Sequence, residues 1–562
     1  MITILLSGIS GDGIQYISKF ILEFISNNIK KKYNIYTYIN YSSDIKNPFL
    51  KKDNFSNFYI ILTKKNYFYI KNIIINLLIV TNLLSFSKFK KQCNKKSIII
   101  LFKNRHYIKN IYKNKNIFFF NSVKLAEKLI FKYFLLKNKI YIRNIFIYSI
   151  IIKIFNFKKN QFIKFLKKKY KKQYKIFIKF FILGYNNIFI KNKIYIKKKY
   201  NINIKIYNGN YFLVKGLIDV SNYLKKKIFY SYYPITPATT ISKYLKKKNI
   251  NIFKSEDEIA SIYNIIGSSY MGKISITSTS GPGMSLMQEG INLAIVLELP
   301  MVIIDIQRCG PSTGIPTLSE QSDLLLSLYG RHGESILPVY SIKSPIDCYY
   351  VIYKSIILSI KYSTPIIILS DFDLANNYNR FFYKKEYNLK FSLNIKKLYY
   401  KNFFIKKNRI INKKKFCISG IEQNYKNNKI SYKKKNHIKN ILYREKKINK
   451  FIKKYKFSIY NNNKNILIIT WGSLYEIIKY YIINYNKIFN PILSFLHIDI
   501  VYPLNIKYLY KKIKKFKLVL FIENNNKQLY NFIYHKNKKF INYYSLLKKN
   551  FNFIINNFLK KL

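Results

Sequence analysis

The chain has 562 residues, 49% of them hydrophobic, with 101 Lys+Arg against 24 Asp+Glu and a formal charge of +77. At roughly 150 residues per domain this length predicts about three to four domains, and so large an apolar share argues against a globally disordered chain. Cys93, Cys309, Cys348 and Cys417 lie far apart with no C-x-x-C, which argues against a secreted disulfide framework, a structural zinc site or an iron–sulfur cluster held by this chain alone.

The charge has two readings. A basic chain ordinarily points to nucleic acid or an anionic membrane surface. Here the excess falls on Lys, Asn, Ile, Tyr and Phe together, the residues of A/T-rich codons, and runs such as Lys167–Lys169 and Lys433–Lys435 carry no Arg, Gly spacing or repeat. Mutational bias is the preferred account, and no nucleic-acid partner is expected. The histidines make no H-x-x-x-H pair, so no metal ligands are assigned.

In chain order, an apolar strand Ile2–Leu6 opens the sequence without a basic leader, and no signal peptide is read there. The turn Ser7-Gly8-Ile9-Ser10-Gly11-Asp12-Gly13 then leads into a helical pattern through Phe20 and Phe24. A glycine-rich turn between strand and helix suits an anion, because backbone N–H groups and the helix N-terminus converge on it. Tight strand-to-helix packing explains such a turn equally well. Strands at Phe58–Leu62, Ser97–Phe102 and Asn116–Phe120 alternate with helical stretches, followed to about residue 200 by Lys-laced amphipathic helices. The apolar stretch Asn72–Ser87 is too short to span a bilayer, so a cytoplasmic protein without a membrane segment is expected.

A second segment starts near Ile204. Strand-length runs Phe229–Tyr233, Ile274–Thr277, Met301–Ile306 and Ile366–Leu369 alternate with helices, the signature of a parallel sheet. Lys/Asn-rich text returns between 378 and 415, and a third segment carries strands Ile466–Thr470, Ile492–His497 and Leu518–Ile522.

Within the second segment, Ser231–Pro345 departs from the rest: its nine basic and nine acidic residues cancel, and it holds nine of the 17 Gly and eight of the 12 Pro. Chemistry concentrates there. In Tyr233-Pro234-Ile235-Thr236-Pro237, two prolines fix the backbone around Thr236 at the carboxyl end of a strand, where open α/β sheets bind ligands. A rigid turn with Thr236 as a helix cap is the plainer alternative. Ser255-Glu256-Asp257-Glu258 opens a helix; Glu258 precedes its apolar face and should point inward, and a buried carboxyl suits proton donation to a ring nitrogen. Acids in a first turn also simply favour the helix dipole. In Thr279-Ser280-Gly281-Pro282-Gly283, small residues let a flat cofactor approach the backbone. In Arg308-Cys309-Gly310-Pro311-Ser312-Thr313-Gly314, a single guanidinium among Gly, Pro and hydroxyls suits a substrate carboxylate, against the alternative of a salt bridge to Asp305 or Glu320.

In this order and spacing, these strings closely resemble the alpha subunit of 2-oxoacid:ferredoxin oxidoreductases, most of all the 2-oxoglutarate type with a fused gamma domain. The likeness continues through Ser319-Glu320-Gln321-Ser322-Asp323-Leu324, Gly330-Arg331-His332-Gly333-Glu334 and Thr364–Asp371. Fainter traces appear at Gly420–Asn424, Trp471-Gly472-Ser473 and Glu523-Asn524-Asn525 with Gln528. Where relatives commonly read Gly-Asn-Glu-Ala, this chain has Gly209-Asn210-Tyr211-Phe212.

The resemblance implies three parallel-sheet α/β domains: a gamma-like domain with a helical linker (1–200), a pyrimidine-type thiamine-diphosphate domain (204–377), and, after a connector (378–415), a transketolase-C-terminal-like domain (416–562). It implies thiamine diphosphate shared with a separate beta subunit, which would also carry Mg²⁺ and a [4Fe–4S] cluster, in an (alpha-beta)2 heterotetramer. By position, Glu258 matches the glutamate that protonates the aminopyrimidine ring, Arg308 the arginine for the substrate carboxylate, and Thr236 a threonine near the substrate. Thr313 joins the substrate set, Tyr233, Pro234, Ser280, Gly281 and Gly283 the cofactor set, and Gly8, Gly11 and Gly13 a CoA-contacting loop. The expected reaction is CoA-dependent oxidative decarboxylation of a 2-oxoacid with electrons passed to ferredoxin. The leading substrate is 2-oxoglutarate; pyruvate, a branched-chain 2-oxoacid, or a decayed non-catalytic scaffold are the alternatives.

Overall fold

A computed structural model describes residues 1–9, 11–30, 32–40, 55–64, 73–102, 116–120, 139–170, 174–187, 190, 193–199, 205–248, 250–381, 420–424, 429–452, 457–461, 465–488, 493–534 and 541–545. Most of the 378–415 connector, Cys417, His106 and His535 lie outside them. The chain forms two compact units, Met1–Tyr207 with Asn377–Tyr387, and Asn208–Asn376 with Asn388–Leu562.

The first unit is built on an eight-stranded sheet. In chain order its strands are β1 (Ile2–Ile9), β2 (Asn34–Asn40), β3 (Phe55–Thr63), β4 (Ile75–Val80), β5 (Cys93–Leu101), β6 (Ile117–Phe119) and β7 (Lys205–Tyr207). The eighth, β14 (Asn379–Phe381), arrives from far along the chain and pairs between β2 and β7. The sheet is mixed, a correction to the expected parallel arrangement: β1, β4, β5 and β6 run parallel, while β3 is antiparallel to both β1 and β2. Two-sided burial explains the apolar runs. Ile4 and Leu6 enter one core and Leu5 the other, as a period of two requires. Helices Ile14–Asn28, Lys139–Ile154, Lys159–Lys169 and Tyr174–Asn187 cover the larger of these cores.

The second unit holds two sheets. The larger contains β8 (Ile228–Tyr232), β9 (Asn251–Lys254), β10 (Ile274–Thr279), β11 (Met301–Gln307), β12 (Val339–Ser341) and β13 (Pro365–Asp371), closed at one edge by β18 (Ile500–Tyr502). Its order is β18-β12-β13-β11-β10-β8-β9, all parallel except the β12–β18 pair. The chain enters at β8, next to the edge, steps outward to β9, then returns to the far side of β8 as β10. That reversal opens a crevice at the strands' carboxyl ends, the usual ligand position in such sheets.

The smaller sheet orders β15 (Ile459–Tyr460), β16 (Ile466–Trp471), β17 (Leu493–Ile498), β19 (Leu518–Glu523) and β20 (Ile541–Ser545) as β15-β17-β16-β19-β20. One continuous core joins it to the larger sheet: Ile262, Ile303 and Leu328 pack in the same cluster as Leu467, Trp471 and Phe521. Among the described residues, no helix is long and apolar enough to cross a membrane.

Candidate active site

Four loops leave the carboxyl ends of β8, β9, β10 and β11, and each carries one of the motifs singled out above. The β8 loop delivers Tyr233, Pro234 and Thr236; Tyr233 is exposed, and Pro234 and Thr236 are half-buried. The Thr236 carbonyl accepts a hydrogen bond of 2.8 Å from Arg308 Nη1. From below, Asn210 is fully buried and donates through its amide to the Thr240 hydroxyl and the Pro237 carbonyl. Asn210 therefore keeps a structural role although Tyr211 and Phe212 replace the expected Glu-Ala.

After β9 the helix Glu258–Tyr270 begins. Asp257 is its cap, accepting from the Ala260 N–H at 2.6 Å. That leaves Glu258 free of a capping duty. It lies one turn before Ile262 on the inward face and is 7% exposed, whereas Ile259 and Tyr263 on the outer face are 44% and 43% exposed. Burial raises the Glu258 carboxyl above its ordinary value, with Asp257 adding to the effect and a backbone hydrogen bond and Arg308 opposing it. A proton donor is what this environment favours.

After β10, Ser280 caps the short helix Gly281–Leu286 in position only: its hydroxyl is buried and has no hydrogen-bond partner. The two glycines are sterically required. A Cβ on Gly283 would stand 2.1 Å from Thr279 Oγ1 and 2.5 Å from Glu258 Cγ, and one on Gly281 would stand 2.6 Å from Asp323 Oδ1. The glycine loop and the buried glutamate are thus packed directly on one another.

After β11, Arg308 is 6% exposed. Its Nε has no partner, and it forms no ion pair with Asp305 or Glu320, so the salt-bridge alternative does not hold among the described residues. Burial lowers its pKa, countered by Asp323, Glu258 and Asp305. A buried guanidinium with no ion-pair partner among the described residues suits a carboxylate. Thr313 is not gathered with it. It sits in the exposed turn closed by the Ile315 N–H to the Cys309 carbonyl at 3.0 Å.

The sequence argument missed what holds the Arg308 loop. Ser322 Oγ donates to the Arg308 carbonyl at 2.8 Å. Gln321 is 1% exposed; its side chain donates to the Trp471 carbonyl at 2.8 Å and accepts from the Asn524 N–H at 2.7 Å. Asn525 and Gln528 donate to the Gln321 and Ser322 carbonyls at 2.9 and 2.7 Å. The loops after β16 and β19 therefore clamp the segment that follows Arg308. The faint traces at Trp471–Ser473 and Glu523–Gln528 are this clamp, a role that local pattern does not reveal.

In the first unit the glycine turn after β1 is closed on its own acid. Asp12 accepts from the Ile9 N–H at 3.0 Å and from the Thr81 hydroxyl at 2.5 Å, and pairs with Arg143 at 3.1 Å. A Cβ on Gly8 would meet Thr81 Oγ1 at 2.4 Å, whereas Gly11, at φ +98°, has open space around it, and Gly13 is left-handed at φ +73°.

Residues 222–448 match the family model described as pyruvate flavodoxin/ferredoxin oxidoreductase, thiamine diphosphate-binding. Over 172 residues, 30% of this chain, it is 44% identical to a 2-oxoglutarate oxidoreductase subunit KorA of Mycobacterium tuberculosis. Over the same length it is 40% identical to a 2-oxoglutarate synthase subunit KorA of Archaeoglobus fulgidus. These matches span 26% and 48% of the two relatives' own lengths. A 2-oxoglutarate:ferredoxin oxidoreductase from Magnetococcus marinus, solved with 2-oxoglutarate, coenzyme A and succinyl-CoA bound, superposes with a TM-score of 0.77 at 23% identity, covering 100% of this chain and 99% of that one. The chain spans about half or less of the length of these curated relatives, shares the fold of that solved structure, and matches the thiamine-diphosphate-binding family model over residues 222–448, the stretch that carries the four loops.

Proposed function

We propose that this chain is the alpha subunit of a 2-oxoacid:ferredoxin oxidoreductase, converting 2-oxoglutarate, CoA and oxidised ferredoxin to succinyl-CoA, CO₂ and reduced ferredoxin. The observation that carries the reading is the convergence of a buried Glu258, its carboxyl raised by burial, and a buried Arg308 without an ion pair among the described residues at the carboxyl ends of one sheet. The names of the relatives support the choice of 2-oxoglutarate over pyruvate or a branched-chain acid.

The residues fit thiamine diphosphate. The Gly281–Gly283 backbone is bare where a side chain would intrude, the Ser280 hydroxyl is buried without a partner, and Glu258 lies against that backbone. Bound, the cofactor would supply the nucleophilic carbon and the electron sink for decarboxylation. Glu258 would hold its proton at a ring nitrogen of the aminopyrimidine. Tyr233, Pro234, Ser280, Gly281 and Gly283 would form the wall, and Arg308 would fix the substrate carboxylate, with Thr236 beside it and Thr313 closing from the exposed turn. Holding both groups on rigid strand ends lets orientation contribute to the rate.

The remaining parts would come from partners. A beta subunit would carry Mg²⁺, the diphosphate and a [4Fe–4S] cluster. The exposed Ile259 and Tyr263, on the helix that starts at Glu258, suit burial against that subunit in an (alpha-beta)2 assembly. In this reading the domains are 1–200, 204–377 and 416–562, with the 378–415 connector between the last two; strands are exchanged at the borders, β7 and β14 joining the first sheet and β18 the second. CoA phosphates would approach the Gly8–Gly13 turn from the open Gly11 side. The free thiols of Cys93, Cys309 and Cys348 suit a cytoplasmic enzyme.

The test is anaerobic reduction of a viologen dye or ferredoxin by this chain co-purified with its beta subunit. The reading predicts reduction that needs both CoA and 2-oxoglutarate, with pyruvate and branched-chain acids far slower. A complex shown to contain thiamine diphosphate and cluster, yet inert toward every 2-oxoacid, would leave a scaffold subunit instead.

A further inference from the structure

The base of the site holds more acid than the chemistry above uses. Along β11, Met301 and Ile303 enter the core, and alternation puts Asp305 and Gln307 on the same face. Asp305 is 0% exposed, and neither of its oxygens has a hydrogen-bond partner. Asp323 is 8% exposed. Its Oδ1 accepts from the Ser322 hydroxyl at 2.8 Å, its Oδ2 has no partner, and its own N–H is held by Gln307 Oε1 at 3.2 Å. Gly281 packs on this carboxyl so closely that a Cβ there would collide with it.

We propose that the buried carboxyls of Asp305 and Asp323 hold one proton before substrate binds and take up a second when a 2-oxoacid carboxylate seats against Arg308. This rests on the reading of Arg308 as the carboxylate receptor.

The argument is one of charge in a small volume. Arg308 is the cation facing this group among the described residues, and it faces three carboxyls: Asp323, Glu258 and Asp305. Asp323 also faces the half-buried Glu320 and the Gly281 N–H, and Glu258 faces Asp257. Leaving a carboxylate charged, buried and without donors costs several kcal/mol, so Asp305 is held neutral by its surroundings, burial and the neighbouring Asp323 both raising its pKa. Burial also raises Asp323, but Ser322, Arg308 and the Gly281 N–H oppose it and hold it at about 6. An incoming carboxylate adds a negative charge to a set that has one guanidinium to offer. Protonating the second aspartate restores the balance without moving the backbone. The two aspartates are positioning residues: they set how much of the guanidinium's charge is available to substrate.

The experiment uses the assembled complex and glutarate, the unreactive dicarboxylate of 2-oxoglutarate's length. Binding heats measured in buffers of different ionisation enthalpy report protons taken up. Wild type is expected to take up a proton, with affinity falling by up to tenfold per pH unit above the pair's titration. Asp323→Asn keeps an acceptor for Ser322 and Gly281, and is expected to bind glutarate without proton uptake and with a flat pH profile. Asp305→Asn, a neutral amide for a neutral carboxyl that disturbs no hydrogen bond of the folded chain, should leave the uptake in place. Arg308-dependent binding with no proton uptake in wild type, or with undiminished uptake in Asp323→Asn, would overturn the proposal. Glutarate binding that survives Arg308→Leu would instead overturn the assignment of Arg308, and the proposal with it.

Discussion

Glu258 and Gly283 show how single atoms set the site. The glycine has no side chain because Thr279 Oγ1 and Glu258 Cγ already occupy the space a Cβ would take. Gly283→Ala is expected to push Glu258 from its seat, costing about 1–3 kcal/mol of stability by overpacking and lowering turnover as well; denaturant unfolding and the reduction assay read the two effects separately. Arg308→Lys keeps the charge but loses the planar fork. It should raise KM for the 2-oxoacid by about ten- to a hundredfold with a smaller change in kcat. Asp323 gives a pH prediction. Its carboxyl is raised from 3.8 to about 6, so the folded chain binds this proton more tightly than the unfolded one. The associated stability is complete below 3.8 and is lost as pH rises through about 6. Asp323→Asn should therefore stabilise the protein on the alkaline side of that window and give no gain on the acid side, as measured by thermal melts across pH.

At the scale of elements, the Arg308 loop depends on a clamp from another sheet. Gln321→Ala would leave the Asn524 N–H and the Trp471 carbonyl without their partners. The expected cost is about 1–3 kcal/mol, with a raised KM because Ser322, next along, holds the Arg308 carbonyl. Most strands of these sheets were legible in the sequence: buried parallel strands read as bare apolar runs, and Met301–Ile306 or Ile466–Thr470 have few other uses. What was not legible depends on distant chain. β2 alternates buried Ile35, Thr37 and Ile39 with half-buried Asn and Tyr, a pattern too short to stand out from the Asn-, Tyr- and Lys-rich text around it, and β14 joins the first sheet from beyond residue 370. Glu258 and Arg308 could be read because their neighbours set their direction: an apolar helical face follows Glu258, and a buried strand precedes Arg308. For Thr313 the neighbours set no direction, since a turn of small residues does not say which way a side chain faces, and it is exposed here. The unpartnered Asp305 and the Gln321 clamp required coordinates, because both are defined by what is absent or present across the core.

Over the whole molecule, the net charge of +77 lies outside Ser231–Pro345, where the charges cancel, and self-repulsion of like charge opposes the compact state. Added salt screens that repulsion, so the thermal midpoint should rise between low and moderate ionic strength; a midpoint that falls would mean surface ion pairs outweigh the repulsion. The central claim is that this chain supplies the proton-handling carboxyl of a thiamine-dependent site completed by a partner. The most direct measurement compares wild-type and Glu258→Gln chains, each assembled with the beta subunit and matched for thiamine diphosphate, in CoA- and 2-oxoglutarate-dependent viologen reduction. The account predicts a loss of about 10²–10⁴-fold in turnover with the fold intact; equal turnover in the two complexes would contradict it.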